Sequence, residues 1–291
     1  MAAAGEPVAF RMALVQLCSG RDVAKNVASA SALIAEAAKG GAAYVQTPEM
    51  TTILELERDR LLAAVSPEEG NAELAHFTAL AREHGIWLHI GSMPVLVAEG
   101  KLANRSYLIS PAGEITARYD KIHMFDVDLP DGESYRESAN YEPGRHAVLT
   151  DLPWGLLGMT VCYDLRFPTL YRTLARVGAK FIAVPAAFTR QTGIAHWHTL
   201  LRARAIESQA FVFAAGQGGN HENGRETFGH SLVISPWGDI LAEGPVEPAV
   251  VFADIDMQVL EDARQRVPSL RHDRPFEVHH VKAETPGKVT P

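Results

Sequence analysis

The sequence predicts an α/β protein folded as one domain over residues 1–291. Short apolar runs typical of buried strands alternate along the chain with amphipathic segments typical of helices. A strand, a helix and a second strand follow one another within residues 8–46, which predicts a parallel βαβ unit. Hydrophobic residues make up 47% of the chain and charged residues 21%, as in ordinary globular proteins, and no shift in composition marks a domain boundary.

Individual residues predict where the strands and the helix of the first βαβ unit begin and end. The apolar run 8–16 predicts a strand entering a buried sheet. Asp22 stands where a helix N-cap is expected, and apolar residues at helical spacing continue to Lys39, ahead of two glycines. The run 42–46 predicts the second strand, which Thr47 and Pro48 end.

The same alternation continues toward the C-terminus. A helix at about 71–84 leads into a strand at 86–90, and a hairpin follows, with its turn at residues 111–113. The other predicted elements are the hairpin strands 102–110 and 114–119, strands at 156–161, 181–184, 211–215, 231–235 and 250–254, a helical segment after Pro168, and a helix at 195–209.

Three segments show no periodicity. Residues 126–144 contain Pro, Gly, Asp and Glu and are interpreted as a long functional loop, and residues 216–229 as a second one. The third is a loose polar C-terminal tail, which begins after about residue 284.

Composition and charge exclude several classes of protein. Lys and Arg number 27 against 35 Asp and Glu, a formal net charge of −8, which argues against nucleic acid or an anionic membrane as the partner. Two cysteines, Cys18 and Cys162, are too few for a disulfide-rich secreted scaffold. Because neither a signal peptide nor an apolar run long enough for a transmembrane helix is readable, we expect a soluble, cytoplasmic protein.

Cys162 is the first candidate for chemistry. It follows the predicted strand 156–161 and precedes a turn that contains Asp164, Arg166 and Pro168. A residue at the carboxyl end of a strand, on a sharp turn into a helix, presents its side chain where α/β folds bind ligands. A lone cysteine is more often a buried apolar residue. The charged turn favours a nucleophile, although spacing alone leaves both interpretations open.

A thiol nucleophile needs a base, because a free thiol with a pKa of about 8.5 is mostly protonated at neutral pH. Glu49 is the candidate base, since it lies at the carboxyl end of the predicted strand 42–46. Lys121, at the end of the second hairpin strand, is the candidate that polarises a carbonyl and stabilises an oxyanion. Taken singly, a solvated glutamate and a surface lysine are the default interpretations.

Three motifs, in this chain order, resemble the Glu–Lys–Cys triad of the nitrilase superfamily, the carbon–nitrogen hydrolases. They are Pro48-Glu49, Tyr119-Asp120-Lys121-Ile122-His123-Met124-Phe125 and Cys162-Tyr163-Asp164-Leu165-Arg166-Phe167-Pro168. Segments 195–197, 202–207, 229–231 and 235–238 are similar to the amidase branch of that family. The similarity runs from about residue 8 to about residue 275, and the ordered motifs are specific together although each is weak alone.

The resemblance implies a four-layer α-β-β-α sandwich that pairs into an α-β-β-α-α-β-β-α homodimer or a higher homo-oligomer. The helices after Cys162 and at 195–209 would form the interface. Glu137 best matches the supporting second glutamate of the family, and Glu142 is a weaker match. No metal and no organic cofactor are implied, which agrees with the lack of a zinc-spaced Cys/His set or a phosphate-binding glycine motif in the sequence.

The implied mechanism begins when Glu49 removes the thiol proton and Cys162 attacks an amide carbonyl. Lys121 and the backbone N–H of Tyr163 would stabilise the oxyanion, ammonia would leave, and water activated by Glu49 would hydrolyse the thioester. The implied substrate is a small amide with a carboxylate, most similar to that of deaminated-glutathione amidases. Arg166 is the candidate anchor for that carboxylate, and internal pairing of Arg166 with an acid such as Asp164 is an equal alternative.

Other functions stay open at this point. The ω-amidases, which act on 2-oxoglutaramate and 2-oxosuccinamate, are a neighbouring branch, and hydrolysis of an N-carbamoyl amino acid or of a nitrile uses the same acyl-enzyme chemistry. A protein of a different class, a catalytically silent binding or scaffold protein, would share the fold. The presence of all three triad residues argues against that last alternative.

Overall fold

The computed structural model describes residues 9–129, 132 and 134–281. The polar tail predicted after about residue 284 lies outside the described residues. Two six-stranded sheets and two short ribbons make up the β-structure of this part of the chain.

The first sheet collects the N-terminal strands and the last strand. Its members are β1 (Ala9–Gln16), β2 (Tyr44–Gln46), β3 (Trp87–Ala98), β4 (Lys101–Ile109), β5 (Ile115–Asp120) and β16 (Ala249–Asp256). They are ordered β16-β1-β2-β3-β4-β5. The three strands β1, β2 and β3 are parallel, as the βαβ pattern predicts, and the outer strands are antiparallel to their neighbours.

The second sheet has the same plan. Its members are β8 (Val148–Leu152), β9 (Gly155–Met159), β10 (Phe181–Ala183), β11 (Phe211–Ala214), β14 (Leu232–Ile234) and β15 (Ile240–Glu243), in the order β15-β14-β11-β10-β9-β8. The central strands β9, β10 and β11 are parallel. The ribbons pair β6 (Asp126–Asp128) with β7 (Ser134–Arg136), and β12 (Gly218–Asn220) with β13 (Glu226–Phe228).

Six α-helices lie in the described part of the chain. They are α1 (Val23–Lys39), α2 (Arg58–Ala64), α3 (Ala72–His84), α4 (Pro168–Arg176), α5 (Arg190–Ser208) and α6 (Met257–Arg266). Asp22 caps α1 as predicted, because its Oδ1 accepts the backbone N–H of Lys25 at 3.1 Å. Helices α1 and α3 pack on the first sheet, and α4 and α5 pack on the second.

The inner faces of the two sheets pack against each other and form the main core. Met12, Leu14 and Tyr44 of the first sheet belong to one buried cluster with Phe181 and Phe213 of the second. The rings of Tyr44 and Phe213 are 5.6 Å apart between centroids. The order helix, sheet, sheet, helix confirms the α-β-β-α sandwich.

Several predicted boundaries and two predicted loops need correction. The helix predicted at 195–209 begins at Arg190, and the strand predicted at 86–90 continues to Ala98. The loops predicted at 126–144 and 216–229 each contain a two-stranded ribbon, β6–β7 and β12–β13. The ribbon strands have three residues each and are partly exposed, so they lack the apolar run by which the equally short buried strands β2, β10 and β14 were predicted. The sequence also did not predict α2, α6, β8 or β15.

Candidate active site

The structure brings the three predicted residues together between the two sheets. Glu49 follows β2 and Lys121 directly follows β5, both in the first sheet, whereas Cys162 follows β9 of the second. Parallel strands of one sheet end at the same edge, and the two sheets are packed face to face. All three side chains are buried.

Glu49 is the most connected residue of the group. Its Oε1 accepts hydrogen bonds from Lys121 Nζ and Asn104 Nδ2, each at 2.9 Å. Its Oε2 accepts the backbone N–H of Ala187 at 2.8 Å. The thiol of Cys162 approaches the same carboxylate. Glu49 is therefore held in one orientation toward the sulfur.

Glu137 completes the cluster from the segment that follows β7. Both of its carboxylate oxygens accept from Lys121 Nζ, at 2.9 and 2.8 Å, and Oε2 also accepts the backbone N–H of Phe125 at 2.6 Å. Asn104 Nδ2 spans the two acids, since it also donates to Glu137 Oε1 at 3.1 Å. The ammonium of Lys121 is thus shared by two carboxylates and cannot swing away from Glu49.

Cys162 lies on a constrained turn. Its φ angle is 49°, in the left-handed region that residues other than glycine rarely adopt. Its backbone N–H donates to the carbonyl of Pro185 at 2.9 Å, which ties the turn to the end of β10. A nucleophile on such a sharp corner after a strand projects from the sheet edge.

The buried carboxylate of Asp164 connects this turn to the segment that carries Lys121. Its Oδ2 accepts from the backbone N–H of Val161 at 2.9 Å and from the hydroxyl of Tyr119 at 2.7 Å. Its Oδ1 accepts the backbone N–H of His123 at 3.0 Å and lies 2.7 Å from Nδ1 of the same residue. Because Tyr119 and His123 flank Lys121, Asp164 sets the spacing between Cys162 and Lys121.

The charges of the site set the protonation states. Burial opposes ionisation of Glu49, but Lys121 and the thiol hydrogen bond outweigh it, so the pKa of Glu49 lies below its usual value. Burial, together with the negative charge of Glu49, raises the pKa of the Cys162 thiol. Burial would lower the pKa of Lys121, but the neighbouring charges of Glu137 and Glu49 raise it. The resting pair is therefore a carboxylate next to a thiol.

A cavity of about 340 Å³ opens onto these groups. Glu49, Lys121, Glu137 and Cys162 line its polar side. Apolar or aromatic side chains form much of the rest of the lining, and they include Met50, Leu54, Phe125, Tyr135, Tyr141, Tyr163 and Phe188. Further polar side chains also line the cavity, namely Glu55, Ser134, Arg136, Asn140, Thr189, Thr192 and Arg225. A mostly apolar cavity with a few convergent polar groups suits a small organic substrate.

A family model described as carbon–nitrogen hydrolase matches residues 11–265. The chain belongs to the carbon–nitrogen hydrolase family. It is thus a hydrolase of carbon–nitrogen bonds other than peptide bonds, and the resemblance to the nitrilase superfamily is confirmed.

Relatives of this carbon–nitrogen hydrolase span nearly its whole length. A deaminated glutathione amidase of Yersinia enterocolitica is 42% identical over 90% of this chain and 92% of its own. The NitFhit protein of C. elegans superposes with a TM-score of 0.86 at 33% identity, over 93% of this chain and 66% of that longer one. An amidase of Nesterenkonia sp. AN1 has a TM-score of 0.74 at 28% identity, over 89% of this chain and 98% of that one. That structure is of a mutant of the amidase and shows acrylamide added at its active-site cysteine.

Two predicted residues lie next to the cluster in different ways. Tyr163 lines the cavity, and its backbone N–H donates no hydrogen bond to a described backbone carbonyl. Arg166 is not among the lining residues. Its guanidinium lies 5.2 Å from the ring centroid of Phe188 and 5.9 Å from that of Tyr163, and Nη1 is 3.3 Å from Nδ1 of His196. It makes no ion pair with Asp164 within the described part of the chain.

Two polar residues of the site, Asn104 and Arg225, were not predicted from the sequence. Asn104 lies in β4, and its only signal was an amide side chain at a position that the alternation of the strand makes buried. Arg225 lies in the segment predicted as a second functional loop and reaches the cavity from between β12 and β13. A cation in a glycine-rich loop was the available signal.

One group of metal-binding type lies outside the cavity. His198, His230 and Glu243 place their ligand atoms within 4.8 Å of one another, and both histidines lie within hydrogen-bond distance of Glu243 Oε1. None of the three lines the cavity.

Among the described residues, no helix combines the length and apolar character required to cross a bilayer.

Proposed function

We propose that this carbon–nitrogen hydrolase cleaves the amide of a small acidic molecule through a Cys162 thioester, in the manner of a deaminated-glutathione amidase. The observation that carries the proposal is the buried contact of Glu49 with both Lys121 and Cys162 at the wall of the cavity. The identity of relatives with that name supports the choice of substrate.

Acylation follows from the resting protonation states. Glu49 accepts the thiol proton as the sulfur of Cys162 attacks the amide carbonyl, so the thiolate forms only as the new S–C bond does. Lys121 and the backbone N–H of Tyr163 stabilise the oxyanion. The C–N bond then breaks, and the proton held by Glu49 passes to the departing nitrogen.

Deacylation uses the same base a second time. Water enters after the amine leaves, and Glu49 takes a proton from it as it attacks the thioester. The S–C bond breaks, and the proton returns to the sulfur. Glu137 keeps the ammonium of Lys121 in place through both half-reactions.

The leaving group depends on the substrate. Both amides of deaminated glutathione are secondary, so cleavage next to the 2-oxoglutaryl group releases the amine of a dipeptide. A primary amide such as 2-oxoglutaramate, the substrate of the ω-amidase alternative, gives the same 2-oxoglutaryl thioester and releases ammonia. N-carbamoyl amino acids and nitriles are further alternatives, and a silent scaffold is the alternative of a different class.

We also propose that the chain forms a homodimer through the face of α4 and α5, and that it acts in the cytoplasm. Ile194 and Ile206 of α5 are 66% and 50% exposed, which is unusual for isoleucine and supports an interface there. Both cysteines are free thiols, and the proposed chemistry requires Cys162 to be reduced.

The test measures release of 2-oxoglutarate from deaminated glutathione and from 2-oxoglutaramate, and release of ammonia from an N-carbamoyl amino acid and from a nitrile. We expect the wild type to prefer one of the first two, and Cys162→Ala to lose at least about 1000-fold in rate while remaining folded. Cys18→Ala is the matched control and retains activity. No turnover of any substrate by the wild type would favour the scaffold alternative, and activity retained in Cys162→Ala would exclude the mechanism.

A further inference from the structure

Arg225 enters the cavity from the turn between β12 and β13. Its Nη2 donates to the carbonyl oxygen of Ala187, the residue whose N–H donates to Glu49. Its guanidinium lies 5.2 Å from the ring centroid of Tyr135, which comes from the other ribbon. Arg225 is therefore held in place from two sides, and through one residue it is coupled to the proposed base.

The charge of Arg225 is not neutralised within the described residues. Lys121 contacts two carboxylates, and Arg136, which also lines the cavity, pairs with Asp128 at 2.8 Å. Arg225 makes no ion pair with any carboxylate in the part of the chain described here, and its buried Nε has no hydrogen-bond partner there. A buried donor without an acceptor is costly, and an anion bound in the cavity would supply the acceptor that Nε lacks.

We propose that Arg225 is the residue that binds the carboxylate of the acyl part of the substrate. This inference rests on the proposed function, since it assigns the acidic group of that substrate to a partner. The planar guanidinium offers Nε and its remaining N–H groups to two carboxylate oxygens, a geometry that lysine cannot reproduce.

The position of Arg225 also predicts that the site selects substrates by chain length. The Ala187 backbone holds Glu49 by its N–H and Arg225 by its carbonyl, so the distance between base and anchor is set by rigid backbone. A substrate whose carboxylate reaches Arg225 presents its amide carbon to Cys162 only if the connecting chain has the right length.

Arg166 is the competing anchor, and the structure separates the two arginines. Arg166 contacts the rings of Tyr163 and Phe188 and lies outside the set of residues that line the cavity. Both guanidinium groups lie against aromatic rings, but only that of Arg225 lines the cavity. A matched pair of variants, Arg225→Gln and Arg166→Gln, therefore tests which of the two guanidinium groups binds the substrate carboxylate.

The experiment compares two primary amides that differ only in that carboxylate. The acidic amide is 2-oxoglutaramate, and the neutral one is 4-oxopentanamide, in which a methyl group replaces the carboxylate. We expect Arg225→Gln to lower kcat/KM for the acidic amide about 10- to 150-fold, the range for hydrogen bonds to charged groups, and for the neutral amide less than about 3-fold. Arg225→Lys recovers only part of the loss, and Arg166→Gln changes both amides by similar factors.

Each result has one interpretation. Equal losses on both amides in Arg225→Gln, or a selective loss in Arg166→Gln, would overturn the inference. Arg225 also lowers the pKa values of Glu49 and Cys162, so its loss changes the pH dependence of catalysis. Profiles of kcat/KM against pH are therefore compared, because this effect changes kcat/KM for both amides by the same factor. Thermal unfolding identifies a variant that fails to fold, in which case Arg225→Lys carries the test. If the wild type turns over neither primary amide but cleaves deaminated glutathione, the same comparison uses deaminated glutathione and the analogue in which a methyl group replaces its 2-oxo acid carboxylate. If the wild type cleaves none of these substrates, it is the proposed function that fails.

Discussion

At the scale of single residues, the site depends on buried polar groups that have little freedom to move. Lys121 contacts two carboxylates, and Asn104 donates hydrogen bonds to the same two. Asp164 accepts hydrogen bonds from Val161, next to Cys162, and from Tyr119, near Lys121. The motifs around Glu49, Lys121 and Cys162 could be found in the sequence because each is a short run with a fixed order. The contacts of Asn104 and Arg225 could not, because each joins residues far apart in the chain and depends on how the sheets pack.

Replacing Asp164 by Asn tests how strongly the hydrogen bonds of this carboxylate stabilise the fold around the site. The amide leaves only one oxygen to accept the donors of Val161, Tyr119 and His123, so buried donors lose their acceptor. We expect the free energy of unfolding to fall by about 3 kcal/mol. Urea denaturation measures it. Tyr119→Phe removes one partner and is the control, with an expected loss of about 1 kcal/mol. A loss in Asp164→Asn no larger than that of the control would contradict the assigned role.

At the scale of elements, long helices and strands follow local rules, and short ribbons do not. Helices α1 and α3 begin after the caps Asp22 and Asn71, whose side chains accept backbone N–H groups. The ribbons β6–β7 and β12–β13 have strands of three residues that are partly exposed, so they show no buried apolar run like those of the core strands. These ribbons supply Tyr135 and Arg225 to the cavity.

A buried histidine of β3 makes the first sheet sensitive to acid. The ring of His89 lies between Tyr44 and Ser106, with 2.7 Å to each hydroxyl, and burial lowers its pKa to about 3. In the unfolded chain the pKa is about 6.5, so between these values only the unfolded state binds the proton. The contribution of neutral His89 to the free energy of unfolding is therefore fully present above pH 6.5 and is lost as the pH falls toward 3.

Because the unfolded chain binds a proton at His89 in this range, we expect the free energy of unfolding to fall by about 2 kcal/mol as the pH is lowered from 7.5 to 5. His89→Gln, which cannot be protonated, should be less stable at pH 7.5 but lose about 2 kcal/mol less over that interval. Urea denaturation at both pH values measures the difference. His221, whose pKa burial also lowers, acts in the same direction and is present in both proteins. Parallel pH dependences of the two proteins would show that His89 is protonated in the folded state.

At the scale of the whole molecule, the two sheets bury the core between them, and one helical face keeps exposed apolar side chains. Ile206 of α5 lies beside Gly238 of the turn between β14 and β15, and the neighbouring Trp237 is 50% exposed. Large exposed apolar residues that adjoin one another are typical of an interface.

Ile206→Glu tests the proposed dimer. A buried carboxylate without a partner opposes association, so we expect the wild type to be a dimer at micromolar concentration and the variant to shift to monomer. Size-exclusion chromatography with light scattering measures the mass. Val97→Glu is the matched control, since Val97 is 43% exposed on β3 of the other sheet. A monomeric wild type, or a variant that remains dimeric, would contradict the proposed interface.

The sequence by itself determined the α/β class, the long helices and strands, and the three residues Glu49, Lys121 and Cys162 as a set. Each depends on neighbours in the chain: apolar spacing, a cap, or an ordered motif. Only the tertiary structure decided which groups surround that set. Arg225, Asn104 and the partners of Asp164 come from distant segments, and their positions follow from the packing of two sheets, which leaves no periodic trace in the sequence.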